Sequence, residues 1–305
     1  MNSSLSFRDA ALALAIVFVW GTNFVLIRVG LDVLPPLLFA ALRFTLVLLP
    51  AVFFLPRPAV SWGNLATYGL AIGFGQFGLL FMAMNGMISP GLASLVVQMQ
   101  VFFTIAISMA RDGERLRPHQ VLAFALALAG MGVIAAHNRA GSGHGATMAG
   151  LALTLAAAMG WAIANQAARQ AGKAAPKLNV LAYVVWASLF SAPPLYLMSF
   201  WREGWPVIAS SLSHTTPAIW GVVLWQSVGN TMFGYGCWAY LLQRYPAATI
   251  SPMSLLVPVF GFAASALWLG EPMQAWKIAA ALLVMGGLAI NLLWRKPQPI
   301  VTAPK

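Results

Sequence analysis

Ten runs of apolar residues alternate with short polar stretches along the chain, at about 9–29, 35–55, 62–84, 91–110, 118–137, 147–169, 178–200, 216–241, 247–268 and 273–294. Each is close to the roughly 20 residues that carry a helix across a hydrocarbon core. None shows the apolar–polar alternation of a barrel strand. Inside a bilayer a helix is the other way to satisfy every backbone N–H and C=O. The pattern therefore predicts an all-α polytopic membrane protein with ten transmembrane helices. The stretches between the runs are too short to build a sizeable soluble domain.

Composition agrees. Of 305 residues, 60% are hydrophobic and 8% are charged, where soluble domains carry about 25% charged residues. The net charge of +11 could point to nucleic acid. The basic residues are spread along the loops instead of gathered on one face, so no nucleic-acid partner is expected and the lipid bilayer is the partner. Twelve basic residues (Arg8, Arg57, Arg111, Arg115, Arg117, Arg169, Lys173, Lys177, Arg244, Arg295, Lys296 and Lys305) fall on one side of the ten runs, and four (Arg28, Arg139, Arg202 and Lys277) on the other. The positive-inside rule then puts both termini in the cytoplasm. The first run continues through Trp20, Gly21, Thr22 and Asn23 to Arg28 with no small-residue cleavage site, so it reads as a transmembrane helix and not as a signal peptide.

The chemistry that composition leaves out is as telling. Cys237 is the single cysteine, which rules out an internal disulfide or a thiolate metal cluster. There is no phosphate-binding Walker loop and so no ATP hydrolysis by this chain. The acids Asp9, Asp32, Asp112, Glu114, Glu203 and Glu271 lie at run ends or in loops, as do His119, His137, His144 and His214. A membrane enzyme would need such groups clustered for acid–base or metal work. The chain is expected not to be an enzyme and to need no cofactor or metal. A proton-coupled pump ordinarily carries a titratable group within the membrane, so facilitated or weakly coupled transport is expected.

Two of the acids mark an internal repeat. Glu114 follows Gly113 and precedes Gly130 by sixteen residues; Glu271 follows Gly270 and precedes Gly287 by sixteen. At an offset of 158, Gly78, Val101 and Phe102 match Gly236, Val259 and Phe260; at 157, Ala123 matches Ala280. Trp20 and Asn23 loosely match Trp161 and Asn165. The chain is thus two five-span halves, 1–140 and 141–305, joined near 137–147. Five is odd, so the second half enters the membrane from the opposite side. This 5+5 inverted-topology repeat is the plan of many transporters, with the substrate site near the midplane between the halves and alternating access from their exchange of conformation.

The Trp-Gly-x-Asn stretch at Trp20–Asn23, the Leu42-Arg43-Phe44 of run two, the Gly-Glu before runs five and ten, and Val101-Phe102 with Pro258-Val259-Phe260 resemble the drug/metabolite transporter superfamily. More narrowly the chain resembles the EamA-type ten-helix exporters, and within them the YddG-type amino-acid exporters. The resemblance implies a bacterial inner-membrane exporter of amino acids or similar small metabolites, monomeric or homodimeric. It implies that spans one, three, four, six, eight and nine line a central cavity while five and ten pack at the periphery. A broad-specificity drug or cation exporter shares the same fold. Gln100 stands where the family carries proline, which removes a kink expected in span four.

Candidate substrate-binding residues are the polar and aromatic groups deep in the spans. The amides are Asn23, Gln76, Gln98, Gln100, Asn165, Gln226 and Asn230, with hydroxyls at Ser251 and Ser254. An amide serves both ends of a zwitterion, and it also glues helices together. Trp20, Trp161, Trp225 and Tyr235 offer ring faces for an ammonium or an apolar side chain. Trp201, Trp205, Trp276 and Trp294, near run ends, read as interfacial anchors. Arg43, the basic residue well inside a span, either binds a carboxylate, or snorkels or bonds backbone carbonyls at the helix ends. Glu271 is placed to meet the positive end of span ten, after a C-cap at Gly270 and before Pro272 in a first turn; Glu114 holds the matching place before span five. Helix capping and gating both remain open for this pair.

Overall fold

The computed structural model describes residues 5–112, 117–139, 145–245 and 247–294. Among them nine helices are long and apolar enough to cross a membrane, and a bent helix pair supplies a tenth. They run Phe7–Leu31, Pro36–Phe53, Trp62–Met84, Pro90–Arg111, Pro118–His137, Met148–Ala174, Val180–Arg202, Pro217–Arg244, Ser251–Leu269 and Ala275–Leu293, called spans one to ten. Ser6, Ser61, Thr147, Asn179 and Thr216 each accept a hydrogen bond from the backbone N–H three residues on, which satisfies donors that a helix start leaves open. Proline opens spans two, four and eight, where its missing N–H costs nothing.

One element was not visible in the sequence pattern. Trp205–Ser213 forms a short helix bent by 109° from Pro217–Arg244. It follows Gly204, which adopts φ 81°, a left-handed conformation that glycine tolerates. Its nine residues, with three serines, are too few and too polar to register as an apolar run.

The packing follows the repeat. Span one lies on spans eight and nine, and span six on spans three and four; two lies on seven, four on nine, and five on ten. Exchanging the halves maps this set of contacts onto itself, as an inverted repeat requires. The five–ten contact shows it atom by atom. A methyl group placed on Gly130 would lie 3.0 Å from the Ala280 carbonyl oxygen, and one on Gly287 would lie 2.5 Å from that of Ala123. Gly130 matches Gly287 and Ala123 matches Ala280, so each helix presses its glycine against the other's alanine. Removing the side chain at the crossing is what allows the backbones this close.

Candidate functional site

The central spans depart from α-helical winding where the sequence places its polar groups. Span three is π-helical over Ala71–Gly78, which contains Gln76, and span eight over Trp225–Phe233, which contains Gln226 and Asn230. Spans four and nine tighten to 3-10 turns at Val97–Met99 and Ser251–Leu255. Such segments recur at functional sites because they leave backbone groups and side chains off the regular helical register. Gln98 lies in the first 3-10 turn and Ser251 and Ser254 in the second. Span four thus leaves α-helical winding without a proline at position 100, and its 3-10 turn ends at Met99, just before Gln100.

Four polar assemblies occupy the interior. Between spans one and eight, the half-buried Trp20 donates its indole N–H to the Asn230 carbonyl oxygen at 3.2 Å, and its ring lies 5.8 Å from Tyr235 and 5.1 Å from Trp238. Between spans four and six, Asn165 Nδ2 donates to Gln100 Oε1 at 2.8 Å and to Thr104 Oγ1 at 3.3 Å. Gln166 continues this ladder to the Thr104 carbonyl oxygen and to Ser108 Oγ. Between spans two and eight, Arg43 donates from Nη1 to Gln226 Oε1 at 3.2 Å and from Nη2 to Thr231 Oγ1 at 2.7 Å. The guanidinium carbon stands 3.6 Å from the centre of the Phe77 ring of span three.

The fourth assembly is at the face opposite the described chain ends. Glu271 accepts from Ser89 Oγ and Ser265 Oγ, from Lys277 Nζ at 2.7 Å and from the Gly91 N–H at 3.2 Å. Its side chain is 8% exposed and that of Lys277 1%. Span ten begins after Gln274, and Glu271 meets it through the Lys277 ammonium and not through its first backbone N–H groups. The carboxylate instead closes the first turn of span four, and so ties the loop after span nine to the start of span four. Gly270 does adopt the left-handed C-cap conformation, φ 65°. Burial pushes the Glu271 carboxyl up, but the Lys277, Ser265 and Ser89 donors outweigh it and hold the group below the usual carboxylate range. Lys277, counted above as a loop charge, is buried as this ion partner. Glu203 acts alike one helix away, accepting from the Leu37 and Leu38 N–H groups at the start of span two. Glu114 lies outside the described residues.

Not every candidate joins an assembly. Asn23 and Gln76 are buried, each with a side-chain oxygen that has no partner, and Gln98 is buried in its 3-10 turn. Trp161 is partly buried against the core. Ser254 donates to the Ser251 carbonyl within its own turn. Trp225 is 40% exposed, on the open side of the turn that buries Gln226. Sequence reasoning did not single out Thr231, Ser227, Thr104, Ser89 or Ser265. Small hydroxylated residues are ordinary in transmembrane helices, so no signal separated these from the rest.

Accessibility breaks the symmetry that the contacts obey. Ala93–Gln98 of span four are all buried, whereas their counterparts Ser251–Leu256 of span nine are all half-exposed. Packing is thus tighter around this part of span four, toward the Glu271 face, than around the matching part of span nine, toward the face of the chain ends.

Ten apolar helices in an inverted repeat, with polar and aromatic groups gathered where central helices are irregular, define a multi-pass membrane transporter. Comparison with known proteins gives the family. The EamA-like transporter family matches the chain twice, over residues 9–136 and 148–293, and the chain belongs to it. It is 43% identical to a probable amino-acid metabolite efflux pump of Salmonella typhimurium, over 94% of this chain and 96% of that one. It is 41% identical to a protein of the same description from Escherichia coli K12, over 96% and 98%. A solved crystal structure aligns over 96% of this chain and 99% of its own, with TM-score 0.62 at 20% identity, a likeness of fold. The chain is a transporter and not an enzyme.

Proposed function

We propose that the protein exports small metabolites, amino acids foremost, from the cytoplasm of a bacterium by alternating access between its halves, 1–140 and 141–305. The observation that carries the mechanism is the unequal burial of Ala93–Gln98 and Ser251–Leu256. These segments are equivalent in the repeat and lie toward opposite faces. A carrier resting in one of two mirror-related states would close one of them and loosen the other, and exchange of their environments would carry the site across. The Glu271 assembly latches the closed face. The scattered basic residues put the loosely packed face, with both termini, in the cytoplasm.

The substrate class rests on the descriptions of the two relatives and on the interior chemistry. The buried amide oxygen without a partner at Asn23 can receive an ammonium, and the rings of Trp20, Tyr235 and Trp238 suit an apolar or aromatic side chain. The candidate binding residues are those named from the sequence, with Trp225 the least placed for contact. Transport is facilitated or weakly coupled, since the described acids all stand at span ends. The test is flux into proteoliposomes holding the purified protein, with labelled phenylalanine, leucine and glutamate against a cationic dye. Uptake of amino acids and exclusion of the dye is expected. Dye uptake without amino-acid uptake would replace this reading with that of a drug exporter.

A further inference from the structure

Arg43 has no role in the transport cycle described so far, yet it sits at a costly place. Its side chain is completely buried within span two. It bonds only neutral groups, Gln226 Oε1 and Thr231 Oγ1, and faces the Phe77 ring. Its Nε has no partner, nor has Nε2 of the Gln226 side chain that it bonds. The acids whose side chains are described are committed elsewhere: Asp9 to Ser6 and Tyr245, Asp32 to Arg28, Glu203 to the start of span two, and Glu271 to Lys277.

A fixed positive charge without a counter-ion is unfavourable in a low-dielectric interior. The ring beneath it offsets part of that cost. Neutral side chains could hold Gln226 and Thr231 as well, without a charge to desolvate. The position is also particular. Gln226 and Thr231 belong to the π-helical segment of span eight, whose Asn230 carbonyl receives Trp20. Phe77 belongs to the π-helical segment of span three, beside Gln76. The charge therefore stands directly behind both irregular segments. In a medium of low dielectric its field extends through them. It repels an incoming cation and draws in a carboxylate.

We propose that Arg43, buried between the π-helical segments of spans three and eight, is the specificity determinant that admits solutes bearing a free carboxylate and rejects cations that lack one. The inference rests on the transporter reading above. Arg43 acts through its field and through Gln226 and is not itself in contact with the solute. A zwitterionic amino acid would enter with its carboxylate toward spans two, three and eight.

The test uses counterflow of labelled phenylalanine in proteoliposomes, competed by unlabelled phenylalanine or by phenylalaninamide, which keeps the ammonium and loses the carboxylate. Wild type and Arg43→Lys are expected to prefer phenylalanine by at least about tenfold, or about 1.4 kcal/mol. Arg43→Gln is expected to lose most of that preference, through weaker competition by phenylalanine and unchanged or stronger competition by the amide. A loss of structure lowers the amount of active protein but leaves this ratio alone. An Arg43→Gln protein that keeps the wild-type ratio would overturn the proposal. Should that variant not fold, the wild type decides, since equal competition by the two solutes overturns it as well. Absence of flux for every labelled solute in the wild type would instead sink the transporter reading on which the proposal stands.

Discussion

Gly130 and Gly287 occupy the same place in their two halves, and each rests on the other helix at that helix's matching alanine, Ala280 for the first and Ala123 for the second. A side chain at either position must push apart two backbones. Gly287→Val is expected to destabilise the protein by about 1–3 kcal/mol, the usual cost of overpacking. Because the five–ten pair stands away from the central polar groups, flux per folded molecule should stay near wild type. Thermal unfolding in detergent beside proteoliposome flux checks both statements. A normal melting temperature would mean that the two helices do not meet as described.

Glu271→Gln removes the charge that the Lys277 ammonium and two hydroxyls converge on. Hydrogen bonds to a charged group each contribute about 1.5–3 kcal/mol, so the closed face should loosen. On a background with Cys237 replaced by alanine, Ala93→Cys is expected to resist a membrane-impermeant maleimide in the parent and to react when Glu271→Gln is added. Equal protection in both would remove the latch from the mechanism.

The same latch has a defined pH dependence. Its donors hold the Glu271 carboxyl below the ordinary range, which lies near pH 4.3 for glutamate. A depressed carboxylate contributes its full stabilisation above that ordinary value and loses it only as pH falls through the depressed one. Protection of Ala93→Cys should therefore be flat from about pH 5.5 to 8 and fail only in stronger acid. A midpoint near neutrality would point to a different titrating group.

Asn165 and Gln100 were candidates for substrate contact, and the structure joins them to each other. If the bond is glue, Asn165→Ala and Gln100→Ala should be non-additive in stability by about 0.6–1.7 kcal/mol, the span measured for such pairs in membranes. Additive losses, with a raised KM for each single variant, would return both residues to the substrate.

Trp20 carries two separable contacts. Trp20→Phe keeps a ring beside Tyr235 and Trp238 but loses the bond to the Asn230 carbonyl. It should cost about 0.5–1.5 kcal/mol of stability and leave aromatic substrates transported. Trp20→Ala should raise KM for phenylalanine more than for leucine. Equal effects on both substrates would place the ring outside the substrate path.

The fold was legible because a bilayer imposes one rule on every span, and run length reports it directly. The inverted repeat was legible because Gly130, Gly287, Glu114 and Glu271 keep their spacing. Direction of side chains was not. Glu271 was expected at the start of span ten; it reaches that start through Lys277 and also closes the first turn of span four, since a loop residue can cap whichever helix start the fold brings near. Gln226 and Trp225 are neighbours in sequence and differ entirely in exposure, because adjacent residues of a helix point about 100° apart and an apolar run does not say which of them faces inward. Lys277 looked like a loop charge because it stands at the start of span ten, and its burial depends on the turn 271–274 folding Glu271 back over it.

A π turn holds one residue more than an α turn, and spans three and eight each carry that surplus, over Ala71–Gly78 and Trp225–Phe233. These stretches overlap when one half is laid on the other. Exchanging the halves therefore lays a widened turn on a widened turn, so the two-fold relation governs the irregular winding at the centre as well as the helix contacts around it.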